Sequence, residues 1–300
     1  MSKLFDLNRA DQRRRRAMTI ARPGVDFLLS EAVSELLERL TLVQRPLATA
    51  VDLMTPLPSL AEDLQETNRF KVVLRFDRLP ATSGSTLFAA ADSEAIPLGR
   101  RSVDLIVSAL GLQGANDLPG ALAQIRYALK PDGLFLAVLL GGETLTELRQ
   151  SLTAAEAEIT GGVAPRVAPF AGVRELGALL HRAELALPVA DQDRLTVRYD
   201  NPLALLHDLR AMGATNTLTE TESRPLSRQV LQRMSEIYAE RFSEADGRIR
   251  ATFDFVWLSG WAPHESQQRP LRPGSATARL AEALNTDERS TGEKAEPRER

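Results

Sequence analysis

Apolar residues fall in short β-branched runs over the first half of the chain and mostly at helical spacing over the second. Val103–Ser108 and Leu134–Leu140 are runs too short for typical helices and are bounded by turn residues, so each predicts a buried strand. Between them Leu118, Leu122, Ile125 and Leu129 recur at helical spacing. Asn116 or Asp117 can cap that helix, Pro119 suits its first turn, and Lys130-Pro131-Asp132-Gly133 stops it. Strand, helix and strand make a βαβ unit, which implies a parallel sheet covered on both faces. Ligands of such sheets gather at the carboxyl ends of the strands, here Ala109–Asn116 and Gly141–Thr144.

Three further strands are expected upstream, at Leu47–Met54, Phe70–Phe76 and Thr86–Ala91. Their helical connections are weak, and Arg78–Ser85 is too short for a full crossover helix. Phe27–Leu42 carries the stripe of an amphipathic helix. Residues 1–22 are polar, and Arg13-Arg14-Arg15-Arg16 reads either as a basic arm for an acidic partner, RNA or a membrane surface, or as a solvated helix face. Downstream, Leu145–Ile159, Val173–Ala183, Pro202–Met212 and Leu226–Phe242 predict helices, and Leu195–Tyr199 and Thr252–Ser259 predict strands. The expected architecture is therefore α/β, with a seven-stranded, mostly parallel sheet whose last strand runs antiparallel. Residues 1–44 form a helical lead-in and 45–262 the main domain, with a helical insertion at about 143–250. Residues 263–300 form a tail, charged and nearly free of aromatics, expected to be disordered from about 285.

Charge and composition narrow the function. Thirty-seven basic and 40 acidic residues give a net charge of -3, which argues against a general nucleic-acid binder. There is no cysteine, which excludes disulfides, thiolate metal sites, iron–sulfur ligation and cysteine nucleophiles. No apolar leader and no run of membrane-spanning length is visible, so a cytoplasmic protein is expected, with at most peripheral contact at the inner face of the membrane.

Asp52, Asp77 and Asp92 close three successive strands and are the candidates to surround a bound cofactor, with Ala109 beside them at the end of the fourth. Asp77 reads equally as a ribose-binding group or as an ordinary strand-end residue. In a nucleotide-binding α/β fold the turn after the first strand should hold glycines, so that backbone can approach the ligand. Here it reads Leu53-Met54-Thr55-Pro56-Leu57-Pro58, with no glycine and two prolines that donate no N–H. His181, His207 and His264 lie far apart without metal-ligand spacing, so no metal site is expected. His181 and His207 fall in helices and read as structural, whereas His264, with Glu265 just past the last strand, reads as functional or structural alike. Trp257 and Trp261 suit the core or its rim.

Several stretches together resemble the class I S-adenosylmethionine-dependent methyltransferases of type 11, a Rossmann-like fold. They are Asp104–Ser108, Asn116-Asp117-Leu118-Pro119, Leu129–Gly133 and Gly141-Gly142-Glu143-Thr144-Leu145-Thr146-Glu147-Leu148-Arg149, followed by Pro169-Phe170, Glu175-Leu176-Gly177, Asp208-Leu209, Met212-Gly213 and Gly260–Gln267. More narrowly the chain resembles the mitochondrial complex I assembly factor 5 family and its bacterial relatives, over nearly all of residues 4–276. The resemblance implies S-adenosylmethionine as cofactor and a respiratory complex I subunit as partner, with Asn116, Asp117, Glu143, Trp261, His264 and Glu265 on a partner or substrate surface. It leaves three activities open, namely methyl transfer, protein-arginine hydroxylation on the same fold, and a non-catalytic assembly role. The departure at Leu53–Pro58 predicts poor cofactor affinity, and the surface formed by Gly141–Arg149 and Trp261–Gln268 is expected to keep partner recognition.

Overall fold

The computed structural model of the chain describes residues 3–20, 23–80, 86–219 and 226–268, together with 275, 280–287 and 289. It divides into two compact units, Met1–His264 and Glu265–Arg300. In the second unit Leu280–Leu284 form a short helix; apart from 285–287 and 289, the tail expected to be disordered lies outside the described residues.

The first unit carries seven strands: β1 (Thr49–Leu53), β2 (Val72–Asp77), β3 (Leu87–Ala90), β4 (Val103–Ala109), β5 (Leu129–Leu140), β6 (Ala186–Tyr199) and β7 (Ile249–Trp261). They form one sheet in the order β3-β2-β1-β4-β5-β7-β6. β1 to β5 are parallel and β7 is antiparallel to both β5 and β6, the expected Rossmann-like arrangement. The helices are α1 (Leu7–Ile20), α2 (Phe27–Thr41), α3 (Ser59–Glu66), α4 (Leu118–Ala128), α5 (Thr146–Thr160), α6 (Val173–Arg182), α7 (Pro202–Ala211) and α8 (Arg228–Phe242). Leu36, Leu60, Leu148, Leu205 and Met234, from α2, α3, α5, α7 and α8, pack into the core on one sheet face. Ile125 of α4 and Leu180 of α6 pack on the other, with Val51, Ile106 and Phe135. Both faces are thus covered, which explains why the central strands read as continuous apolar runs.

Two elements differ from their sequence patterns. Lys130–Gly133 does not stand between α4 and β5 as a separate turn: β5 begins at Leu129, directly after α4, and the irregularity appears as a register shift against β4, with Asp132 at φ 64°. β6 is 14 residues long, nine more than the expected Leu195–Tyr199, because Ala186–Arg194 also pair with β7. The polar lead-in folds as α1, which buries no residue of its own fully. No helix among the described residues is long and apolar enough to cross a membrane.

Candidate functional site

The site is built at the carboxyl ends of β1, β2 and β4. In parallel register Asp52 of β1 stands beside Arg75 of β2, and Arg75 and Asp77, two apart on one strand, share a face. All three side chains are buried. Arg75 Nη2 donates to Asp77 Oδ2 at 2.7 Å and to the Thr55 carbonyl at 3.0 Å, while its Nε lies 3.7 Å from Asp52 Oδ2. α1 crosses this edge and delivers Arg14, whose Nη1 and Nη2 donate to the two Asp77 oxygens at 2.8 and 2.6 Å. Arg14 Nη2 also donates to the Pro56 carbonyl at 2.8 Å. The Arg78 backbone N–H fills Asp77 Oδ1 at 2.7 Å. Four donors on two oxygens use the acceptor capacity of this carboxylate in full.

Asp92 is held in the same way: Arg78 donates to its Oδ2 and also binds Asp11 of α1, while the Glu94 N–H meets Oδ1 at 3.0 Å. Asp52 is different. Neither of its oxygens has a hydrogen-bond partner among the described residues. Burial pushes its pKa up to about 7; the neighbouring Thr55 and the Arg75 charge offset this only in part.

The turn after β1 is closed. Met54 takes a left-handed φ of 62° and donates its N–H to the Phe76 carbonyl at 2.7 Å. Gly111, in the loop after β4, packs so tightly on it that a Cβ there would lie 2.2 Å from the Met54 carbonyl oxygen. Thr55 Oγ1 accepts from the Ala109 N–H at 3.1 Å. The turn therefore presents the Thr55 and Pro56 carbonyls, and both are taken by arginines. S-adenosylmethionine, which a methyltransferase fold implies, does not fit this arrangement: Asp77 has no free acceptor for ribose hydroxyls and backbone cannot approach the ligand between Met54 and Gly111.

A cavity of about 530 Å³ opens under α1 on this edge, lined among others by Met54, Leu110, Leu145, Phe170 and Leu206. Neither Asp52, Asp77 and Asp92 nor Ala109 lines it. Sequence reasoning thus placed the three aspartates on one edge but missed Arg14, Arg75 and Arg78, which neutralise them. Arg75 had a legible signal, as a charged residue inside a strand and two positions from Asp77. Arg14 had only the ambiguous basic run.

The residues expected to meet a partner are dispersed. Asn116 accepts from the Phe5 N–H at 2.7 Å and so pins the chain ahead of α1; Asp117 caps α4 through the Gly120 N–H at 2.8 Å. Glu143 is exposed just past β5. Its neighbours are stitched to β7: a Cβ on Gly141 would lie 2.5 Å from Asp254 Oδ2, and Thr144 Oγ1 accepts from the Asp254 N–H at 3.1 Å. Trp261 pairs with Leu134, the amino end of β5, whereas Phe255 pairs with Leu140, its carboxyl end. Gly141–Arg149 and the end of β7 therefore do not make one surface, which corrects the expectation; an antiparallel last strand must finish at the opposite edge. Trp261 is half-buried there beneath Arg45, and exposed His264 follows it. Glu265 is exposed at the start of the second unit. Trp257 is a core residue, and His181 and His207 are exposed on α6 and α7. Among the described residues no cluster could hold a metal ion.

A family model described as a methyltransferase domain matches residues 32–137. Arginine-hydroxylase NDUFAF5, mitochondrial, from Danio rerio is 36% identical over 267 residues, covering 86% of this chain and 82% of the relative. The human protein of the same name is 36% identical over 263 residues, with coverages of 86% and 76%. The chain belongs to the NDUFAF5 family. The chain is also similar to malonyl-acyl-carrier-protein O-methyltransferase from Xylella fastidiosa, 37% identical over 172 residues, 57% of this chain and 56% of that one. The fold is likewise that of the YcgJ protein from Bacillus subtilis, with a TM-score of 0.53 at 14% identity over 77% of this chain and 99% of that one.

Proposed function

We infer that this member of the NDUFAF5 family works on a protein partner in respiratory complex I assembly, without S-adenosylmethionine bound at the β1–β2 edge. The observation that supports the absence of cofactor is the saturation of Asp77, the candidate ribose-binding carboxylate, by Arg14, Arg75 and the Arg78 N–H. Kinship to the NDUFAF5 proteins supplies the assembly role, and such work brings the chain to the face of the membrane that carries complex I as a peripheral protein. The contact surface proposed for the partner is the carboxyl edge around exposed Glu143, separate from the Trp261 and His264 edge.

A second activity, protein-arginine hydroxylation, is favoured by relatives named arginine-hydroxylase that match over most of their length. Both readings are tested by affinity capture of the tagged chain from cells that build complex I, followed by mass analysis of the captured subunits. Enrichment of a complex I subunit supports the assembly role, and capture of none overturns it. An added oxygen on an arginine of that subunit, present only when the chain is intact, selects hydroxylation.

A further inference from the structure

The cavity under α1 is lined by both apolar and cationic side chains. Leu140, Leu145, Leu148, Leu206 and Phe170 are among the apolar ones. Six arginines, Arg9, Arg13, Arg14, Arg78, Arg166 and Arg210, also line it, against one acid, Asp11. Four of the six are compensated. Arg9 pairs with Asp6, Arg14 with Asp77, Arg78 with Asp11 and Asp92, and Arg166 with Glu156.

Arg13 and Arg210 have no ion pair among the described residues. Arg13 Nη1 is buried there without a hydrogen-bond partner. Asp6, whose charge reaches Arg13, already holds Arg9. Burial and the like charge of Arg9 push the Arg13 pKa down, the behaviour of a cation short of an anion. The two arginines flank one helix crossing. Gly213, one turn beyond Arg210, takes φ 74°, and a Cβ there would lie 3.2 Å from Arg14 Cα and 3.5 Å from the Arg13 carbonyl. Only glycine allows α1 to lie this close while keeping that φ.

We propose that this cavity binds a small amphiphilic anion, a carboxylate or phosphate head on an apolar body, with the head between Arg13 and Arg210 and the body against the lining leucines. Guanidinium groups suit such heads because their planar donors match two oxygens at once. A volume of about 530 Å³ is within the range of small-molecule sites and far above that of a single ordered water. The same charges disfavour cations. The inference is independent of the complex I role, since it rests on the cavity alone.

The test is calorimetric titration of the full chain with dodecanoate and dodecyl phosphate below their micelle concentrations, with dodecylammonium and inorganic phosphate as comparators. One site is expected for at least one of the two anions, and the ammonium and free phosphate should bind at least about tenfold more weakly. The double variant R13Q/R210Q should lose about tenfold or more in affinity through lost charge-assisted hydrogen bonds. Leu206→Trp, which fills part of the apolar lining and leaves both arginines, should lose affinity as well; circular dichroism of each variant verifies folding. Equal binding of dodecylammonium, unchanged affinity in folded R13Q/R210Q, or no saturable binding of either anion would overturn the proposal. Free phosphate binding as tightly as dodecyl phosphate would overturn its apolar half.

Discussion

At the carboxyl edge of the sheet Arg75 and Asp77 meet at 2.7 Å with side chains 2% and 0% exposed. At the amino edge Lys130 meets Asp104 at 3.0 Å with the lysine 40% exposed, and Arg45 meets Asp132 with the arginine 44% exposed. The residue types are alike, but their surroundings are not. Water screens the amino-edge pairs, which makes them worth little, whereas the carboxyl-edge charges have only one another. At the carboxyl edge the carboxylates are held by arginines of the chain itself. Positions that a nucleotide-binding sheet keeps for its ligand are occupied by arginines from β2, the loop after it, and α1.

The sharpest way to break that comparison is Arg75→Met. It leaves buried Asp52 and part of Asp77 without a counter-charge and should destabilise the chain by about 3–5 kcal/mol in urea unfolding. A loss below about 1 kcal/mol, the value of a surface pair, would erase the distinction between the edges.

Asp52 gives the pH dependence. Its folded pKa is raised from 3.8 to about 7, so the folded state holds a proton that the unfolded state has released. Its contribution is full below the unfolded value and is lost as pH rises through the folded one, by up to about 4 kcal/mol. Urea midpoints should fall across that window in the native chain, and Asp52→Asn should flatten the fall. An identical slope in the variant would place the titration elsewhere.

Arg14→Gln removes the bidentate contact from α1 while Arg75 still holds Asp77. Its expected cost is about 1.5–3 kcal/mol, and limited proteolysis should cut α1 faster, because that helix has no fully buried residue to keep it docked. Unchanged stability and proteolysis would mean that other contacts hold the helix. Arg45→Ala at the amino edge should cost less than about 1 kcal/mol in the same assays, its exposed ion pair and its place over Trp261 contributing little. A loss as large as that of Arg75 would equate the two edges.

The fold was legible because a sheet buried on both faces writes its strands as apolar runs, as in Val103–Ala109 and Leu134–Leu140. Most of β6 was missed because it is an edge strand: Ala186–Arg194 is largely exposed and contains Pro188, so it shows neither a buried run nor clear alternation. The aspartates were legible from their strand-end positions. Their partners were less so, since Arg14 reaches Asp77 across 63 residues and no local pattern records a contact at that separation. The misplaced Trp261 surface had a different origin. Its antiparallel strand was expected, yet the consequence, that its end returns to the amino edge, follows only when residues are placed in register.

The central claim is that the chain's own arginines fill the cofactor positions, and calorimetric titration of the unmodified protein with S-adenosylmethionine tests it most directly. The account predicts no saturable heat at micromolar concentrations, because Asp77 has no acceptor left and Met54 and Gly111 close the turn. One-to-one binding with a low-micromolar Kd would contradict it.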